Sequence, residues 1–210
     1  MTAEAVAAFF TRADGSYLCA RWGRPIVPIV FGVEDATLRV VKGAVEAVVT
    51  LAGHRMAETD PELGANLMIF FFRDWEELTD VPNLDRLIPE LGALVARLAE
   101  AGANQYRAFR FDAEGAIRAV FVFLRMDAAL GDTPAEVLAL AQAAQAILLW
   151  SDAALESQPM LAEAAGRVIL RPGIAALIRA AYDPVMPAVA RDASHALRLA
   201  ARIAAREGMA

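Results

Sequence analysis

NQYRAFRF, residues 104–111, and AIRAVFVFLR, residues 116–125, are the two runs that decide the fold. Both are rich in aromatic and β-branched residues, a composition typical of strands. The four residues between them, Asp112–Gly115, place a glycine where a hairpin connection needs a positive φ. The segment therefore predicts an antiparallel β-hairpin.

The sequence before this hairpin predicts two further strands joined by a helix. Residues 25–32 are rich in β-branched residues and end in a glycine, which predicts a strand. The two prolines in this run lack a backbone N–H donor, so we expect the strand to lie at an edge of the sheet. Between residues 37 and 52, apolar residues recur at steps of three and four, the spacing of one helix face. Residues 66–73 are apolar on both faces, which is typical of an interior strand. Residues 55–59 are a candidate short strand.

Helices are predicted on either side of these strands. Thr2 is a candidate N-cap for a helix within the N-terminal segment 1–20. Residues 84–101 have helical apolar spacing, and Pro89 should kink or split that helix. Each of these segments can therefore cover one side of a sheet.

The C-terminal third, residues 134–210, is expected to be mostly helical. Thr133, Pro134 and Glu136 combine an N-cap, a first-turn proline and a capping-box glutamate, which predicts a helix running to about Trp150. Further helices are expected at about 174–182 and 187–206. We therefore predict that residues 1–210 form a single α+β domain, a mixed sheet with a β-hairpin packed by helices.

Composition and charge argue against a disordered chain, a nucleic-acid-binding protein and a membrane-spanning protein. The chain has 210 residues, of which 58% are hydrophobic and 22% charged, enough apolar surface for a folded core. The net charge of −6 at pH 7 opposes nucleic-acid binding, because affinity for phosphates comes from clustered lysine and arginine. No apolar run approaches the roughly 20 residues of a membrane span, and Glu4 and Arg12 interrupt the first apolar stretch, unlike a signal peptide. We expect a cytoplasmic protein, or a periplasmic one if a leader has been removed.

Few residues are of the types that carry catalysis or bind metal. His54 and His195 lie far apart in the chain, so no pair of histidines one helical turn apart is available for zinc. Cys19 is the only cysteine, and we predict that it is a buried apolar residue. Four acidic residues cluster at a predicted helix start, where negative charge offsets the helix dipole, so capping explains them better than catalysis does. They are Asp74, Glu76, Glu77 and Asp80. We therefore predict no catalytic residue, no metal site and no cofactor.

Four segments stand in an informative order along the chain. They are Arg21–Ile26, Ala65–Leu67, Gln145–Leu149 followed by Asp152, and Leu177–Pro184. Together they resemble an uncharacterised bacterial family whose fold is thought to be similar to that of the zincin metallopeptidases. The resemblance spans most of residues 20–185. It implies a cleft between the helix that starts near Thr133 and an edge strand, where zincins hold an extended peptide by strand addition.

The resemblance fails at the zinc site. In zincins this helix carries His-Glu-x-x-His, in which two histidines bind zinc and the glutamate activates water. The corresponding stretch here is residues 141–145, which offers Gln142 and Gln145 and neither a histidine nor a glutamate. A carboxamide is a poor zinc ligand and cannot accept a proton from water. The resemblance therefore implies a pseudoenzyme.

Three functions remain open at this point. The first is a non-catalytic zincin-like domain that binds a protein or peptide in the cleft beside helix 134–150. Its binding residues would be Gln142, Gln145 and Asp152, although the glutamines also fit a simple polar helix edge. The second is a metal-independent hydrolase or transferase with paired carboxylates near Asp74 or Asp152. The third is a structural subunit whose alanine-rich C-terminal helices pack in a homodimer.

Overall fold

A four-stranded mixed sheet with helices on both faces is the centre of the molecule, seen in a computed structural model that describes residues 1–208. The helical elements are α1 (Ala3–Ala8), α2 (Asp35–Ala52), the 3₁₀ helix η1 (Trp75–Asp80), α3 (Leu84–Leu87), α4 (Leu91–Glu100), α5 (Ala128–Gly131), α6 (Ala135–Ala146), α7 (Asp152–Ser157), α8 (Pro172–Ala181) and α9 (Ser194–Glu207). The strands are β1 (Cys19–Ala20), β2 (Pro28–Phe31), β3 (Leu67–Phe72), β4 (Gln105–Phe111), β5 (Ile117–Arg125), β6 (Leu161–Ala164), β7 (Arg167–Leu170) and β8 (Val189–Ala190). The predicted α+β class is confirmed.

The strand order in the central sheet is β2–β3–β5–β4. β2, β3 and β5 are parallel, and β4 is antiparallel to β5. The predicted edge strand, interior strand and hairpin are therefore confirmed as β2, β3 and β4–β5. Residues 55–59 do not form the expected strand, because only Met56 pairs there, in an isolated bridge to Ile26. β4 is the second edge of the sheet.

Alternate residues of β3 and β5 point into two separate cores, as the two-residue period of a strand requires. Ile69 and Val122 belong to the core that includes α2, α6 and α8. Phe70 and Phe123 belong to the core that includes η1, α3 and α4. In register with these strands, β4 directs Gln105, Arg107 and Phe109 to the α6 side and Tyr106, Ala108 and Arg110 to the α4 side.

The predicted helices are present, but several of their ends differ from those predicted. Residues 84–100 are split into α3 and α4 around Pro89, as expected. α6 ends at Ala146 rather than near Trp150. α9 begins at Ser194 rather than near residue 187, because Val189 and Ala190 pair with β1 as β8. No helix within residues 1–208 is both long and apolar enough to cross a membrane.

The predicted capping box at the start of α6 is wrong. Thr133 Oγ1 donates to Ala129 O at 2.9 Å, so its hydroxyl belongs to the α5 turn. Pro134 occupies the N-cap position of α6 and makes no side-chain hydrogen bond there. The threonine followed by proline marks the boundary between two helices, because a proline cannot continue the first of them.

A hairpin, β6–β7, interrupts the C-terminal third, which was expected to be mostly helical. Its two-residue turn consists of Ala165 and Gly166, with φ of 51° and 71°. Two consecutive positive φ angles are the signature of the turn that best joins antiparallel strands. The sequence did not predict this turn because alanine, unlike asparagine or glycine, rarely adopts a positive φ.

Candidate functional site

Two of the three predicted binding residues line one cavity beside β4 and the end of α6, and the third is buried next to it. The cavity has a volume of about 300 Å³, and Gln145 and Asp152 line it. Gln142 is 3% exposed and lies one helical turn before Gln145. The remaining lining residues are Arg12, Gln105, Tyr106, Arg107, Phe109, Leu149, Trp150 and Leu155. We call this the first cavity.

Gln142 holds the side chain of Arg107 rather than facing solvent. Arg107 Nη1 donates to Gln142 Oε1 at 2.9 Å, and Gln142 Nε2 donates to Gln105 Oε1 at 2.7 Å. Both ends of this buried carboxamide are therefore satisfied, which fixes the guanidinium at the wall of the first cavity. Gln142 is a positioning residue.

Arg107 is a largely desolvated cation. Burial lowers the pKa of its guanidinium to about 10, and the nearby carboxylate of Asp152 opposes that shift. The side chain is nevertheless protonated at neutral pH. Among the described residues, no carboxylate lies within ion-pair distance of it. The first cavity therefore contains a positive charge whose remaining donors are free for a ligand.

Gln145 supplies an acceptor in the same place. Its Oε1 is buried and has no hydrogen-bond partner among the described residues. A buried carboxamide oxygen without a donor costs free energy, of the order of 1–3 kcal/mol, until a donor reaches it. A ligand with an N–H group beside an acidic group would satisfy both Gln145 and Arg107.

A second arginine, Arg12, also lines the first cavity. Arg12 Nη1 donates to Trp150 O at 2.9 Å. The Trp150 ring stacks on Phe10, with centroids 5.6 Å apart, and Ser151 N–H donates to Phe9 O at 2.8 Å. The two residues after α1 therefore fix the loop after α6, and that loop in turn holds Arg12. Sequence reasoning missed Arg12 because this contact joins residues 138 positions apart.

A second cavity, of about 350 Å³, lies on the other side of β4. Tyr106 lines both cavities, so the edge of β4 is the ridge between them. Arg110 Nη2 donates to Leu87 O at 2.9 Å, which fixes one cation in the second cavity. Its other lining residues are Ile88, Pro89, Glu90, Ala93, Leu94, Arg97 and Ala108.

The backbone of β4 is open along this ridge. In an antiparallel pair, alternate residues point their N–H and C=O groups away from the partner strand. The backbone N–H of Arg125 donates to Asn104 O at 2.8 Å, so the backbone groups of Asn104 point towards β5. By alternation, the backbone N–H and C=O groups of Gln105 and Arg107 point away from β5, towards solvent. An outward strand edge between two cavities is the geometry that accepts an added strand.

The end of α6, which carries Gln145, is fixed by two aromatic residues. Trp22 Nε1 donates to Ala146 O and the Tyr182 hydroxyl donates to Ile147 O, both at 2.8 Å. The same hydroxyl accepts the Trp22 N–H at 3.3 Å. Three of the four segments that carried the family resemblance meet at this point, where they position the wall of the first cavity.

The remaining candidate residues have structural environments. The ring Nε2 of His54 donates to Arg24 O at 2.8 Å, and burial lowers the pKa of His54. Cys19 is 4% exposed, as predicted. Glu77 Oε1 accepts the Asp74 N–H at 3.0 Å, which confirms that these carboxylates cap the start of η1. No group of three or more His, Cys, Asp or Glu residues within residues 1–208 is placed to hold a metal ion.

Comparison with known proteins adds no identity to this geometry. The chain matches no family model, no curated protein and no solved structure. Its function is therefore inferred from the site itself.

Proposed function

We propose that this chain is a non-catalytic, zincin-like domain that binds an extended peptide segment of another protein by strand addition to the free edge of β4. The first cavity receives a side chain of that segment, and the second cavity receives its neighbour. Gln145 and Asp152 contact the bound segment, and Gln142 positions Arg107. The observation that carries this proposal is the outward backbone of Gln105 and Arg107 between two cavities.

The alternation of side chains supports this binding mode. Successive residues of a strand point to opposite faces, so a peptide beside β4 directs one side chain to the α6 side and the next to the α4 side. Both sides have space, of about 300 and 350 Å³. Backbone hydrogen bonds would supply affinity, and the two cavities would supply specificity.

We propose no hydrolytic activity because of the residues that α6 carries. Gln145 of α6 lines the first cavity, and the resemblance to zincins aligns its stretch of helix with a zinc-binding motif whose histidines and glutamate are missing here. The alternative hydrolase needs a second carboxylate opposite Asp152, and the described residues lining the first cavity include none. The homodimer alternative uses the apolar faces of α8 and α9, which are largely buried within the chain. Dimerisation stays a prediction.

Two variants at one position test strand addition. Gln105→Pro removes an outward N–H and blocks the edge, while the hydrogen bonds from β4 to β5 are retained. Gln105→Ala is the matched control, because it removes the same side chain and keeps the backbone donor. Decapeptides selected from a random phage-displayed library against the wild-type protein are the probes. We expect them to bind the proline variant at least about tenfold more weakly than the alanine variant.

Hydrogen exchange checks the same proposal without any substitution. The amides of Gln105 and Arg107 should exchange fast in the free protein and slowly when a selected peptide is bound. Peptides that bind the proline and alanine variants equally, or that leave these two amides unprotected, would overturn the proposal. Thermal unfolding of both variants shows that each is folded at the assay temperature.

A further inference from the structure

The charges around the edge of β4 are opposite in sign to those of the whole chain. Arg12, Arg107 and Asp152 line the first cavity, and Arg97, Arg110 and Glu90 line the second. Four guanidinium groups therefore stand against two carboxylates in a protein whose net charge is −6. The local excess of positive charge favours an acidic partner and disfavours a basic one.

None of these four arginines forms an ion pair within residues 1–208, although each lines a cavity that also contains a carboxylate. Arg107 is half-buried, and its one side-chain hydrogen bond goes to the neutral carboxamide of Gln142. The Asp152 carboxylate acts on Arg107 only from beyond ion-pair distance, so a ligand carboxylate in direct contact would offset the cost of burying this cation.

We infer that the segment added to β4 is acidic and that one of its carboxylates pairs with Arg107 in the first cavity. This inference rests on the proposed function and names the chemistry of its ligand. A guanidinium with one donor already fixed approaches a carboxylate in a defined orientation, which adds specificity to the charge. The unpaired Oε1 of Gln145 accepts an N–H of the same ligand.

Alternation along the added strand extends the inference to the neighbouring position. A residue next to the one that binds Arg107 points into the second cavity, where Arg97 and Arg110 stand near Glu90. The expected pattern is therefore two adjacent residues, of which the first carries the essential carboxylate. That carboxylate belongs to an aspartate or glutamate side chain, because the first cavity receives a side chain of the added segment.

The test uses one selected peptide in four synthetic forms. At the position that enters the first cavity the peptide carries glutamate or glutamine, and each version ends in a free carboxylate or an amide. We expect glutamate to bind wild-type protein at least about tenfold more tightly than glutamine. If the chain terminus is the source instead, the tenfold loss follows amidation and the glutamine form binds normally.

Two protein variants assign this preference to one residue. Arg107→Gln should reduce the preference for the carboxylate to about one while the neutral peptide binds within threefold of its wild-type affinity. Arg107→Lys keeps the charge and should keep part of the preference. Arg39→Gln is the matched control, because it changes net charge equally at an exposed position of α2 and should leave the preference unchanged.

Each result has a definite meaning. If the selected peptides show no acidic preference, or if Arg107→Gln keeps it, the inference is wrong even when the edge-blocking variant still loses binding. If the edge-blocking proline variant binds as well as its alanine control, strand addition itself is wrong. The two failures are therefore read from different variants.

Discussion

Replacing Tyr182 with phenylalanine removes a single oxygen atom at the point where the end of α6 is held. The hydroxyl donates to Ile147 O at 2.8 Å and accepts the Trp22 N–H at 3.3 Å. Ile147 and Trp22 are 2% and 0% exposed, so water does not reach either backbone group in the folded state. The ring itself stays in place, and no large cavity is made.

The expected loss follows from the two groups left without a partner. Each buried orphan costs about 1–3 kcal/mol, and the longer bond belongs at the lower end of that range. We expect Tyr182→Phe to lower the free energy of unfolding by about 3 kcal/mol. For a chain of this length, that corresponds to a fall in Tm of roughly 6–12 °C.

Urea unfolding followed by tryptophan fluorescence measures this loss, since Trp22 lies beside the altered group. Tyr106→Phe is the matched control, because the Tyr106 hydroxyl makes no hydrogen bond within residues 1–208, and we expect it to change stability by less than about 0.5 kcal/mol. A loss for Tyr182→Phe no larger than that of the control would refute the account of how α6 is anchored. Peptide binding measured well below Tm shows whether the same anchor also orders the first cavity.

Two further predictions concern buried polar side chains. Asn66 is fully buried, accepts the Val27 N–H at 2.8 Å and donates to Pro25 O at 2.9 Å. Asn66→Ala leaves both backbone groups without a partner, so it should lower the free energy of unfolding by about 3–5 kcal/mol in urea titrations. A loss under about 1 kcal/mol would contradict this. His195 is 5% exposed and contacts the Tyr17 hydroxyl at 2.9 Å, and burial lowers its pKa to about 4. Because the unfolded chain binds this proton more readily, stability present above pH 6.5 is lost as pH falls towards 4, by roughly 3 kcal/mol. Unfolding at pH 7 and 4.5 should show a smaller acid loss in His195→Gln, and an equal loss in both proteins would exclude His195 as the cause.

Much of the fold was predictable because the spacing of apolar residues along the chain indicates which face of a helix or strand is buried. The aromatic and β-branched composition and the turn glycine predicted β4–β5, and the two prolines predicted that β2 lies at an edge. The β6–β7 hairpin was not predicted, because its turn needs a positive φ at Ala165, which the residue type does not indicate. The start of α6 was predicted within two residues, although Thr133 makes a different hydrogen bond from the one expected.

Part of the candidate site was also accessible to sequence reasoning. Gln142 and Gln145 lie on α6, and Asp152 begins α7 six residues after α6 ends, so their proximity is a local property. Arg107 was missed, although polar residues at alternate positions of a predicted strand were a signal that one face of the hairpin leaves the core. Arg12 carried no such signal. Which function these residues serve stays a prediction.

The sequence by itself determined the strands of the central sheet and the longer helices, because hydrophobic periodicity and turn residues act over a few neighbouring positions. Only the tertiary structure decided that Arg107 meets Gln142 across 35 residues and that Arg12 reaches Trp150 across 138. Such contacts depend on strand order and helix packing, and many chain pairings have the same local periodicity. The charge of the cavity beside β4, and therefore the ligand proposed for it, exists only after those pairings are made.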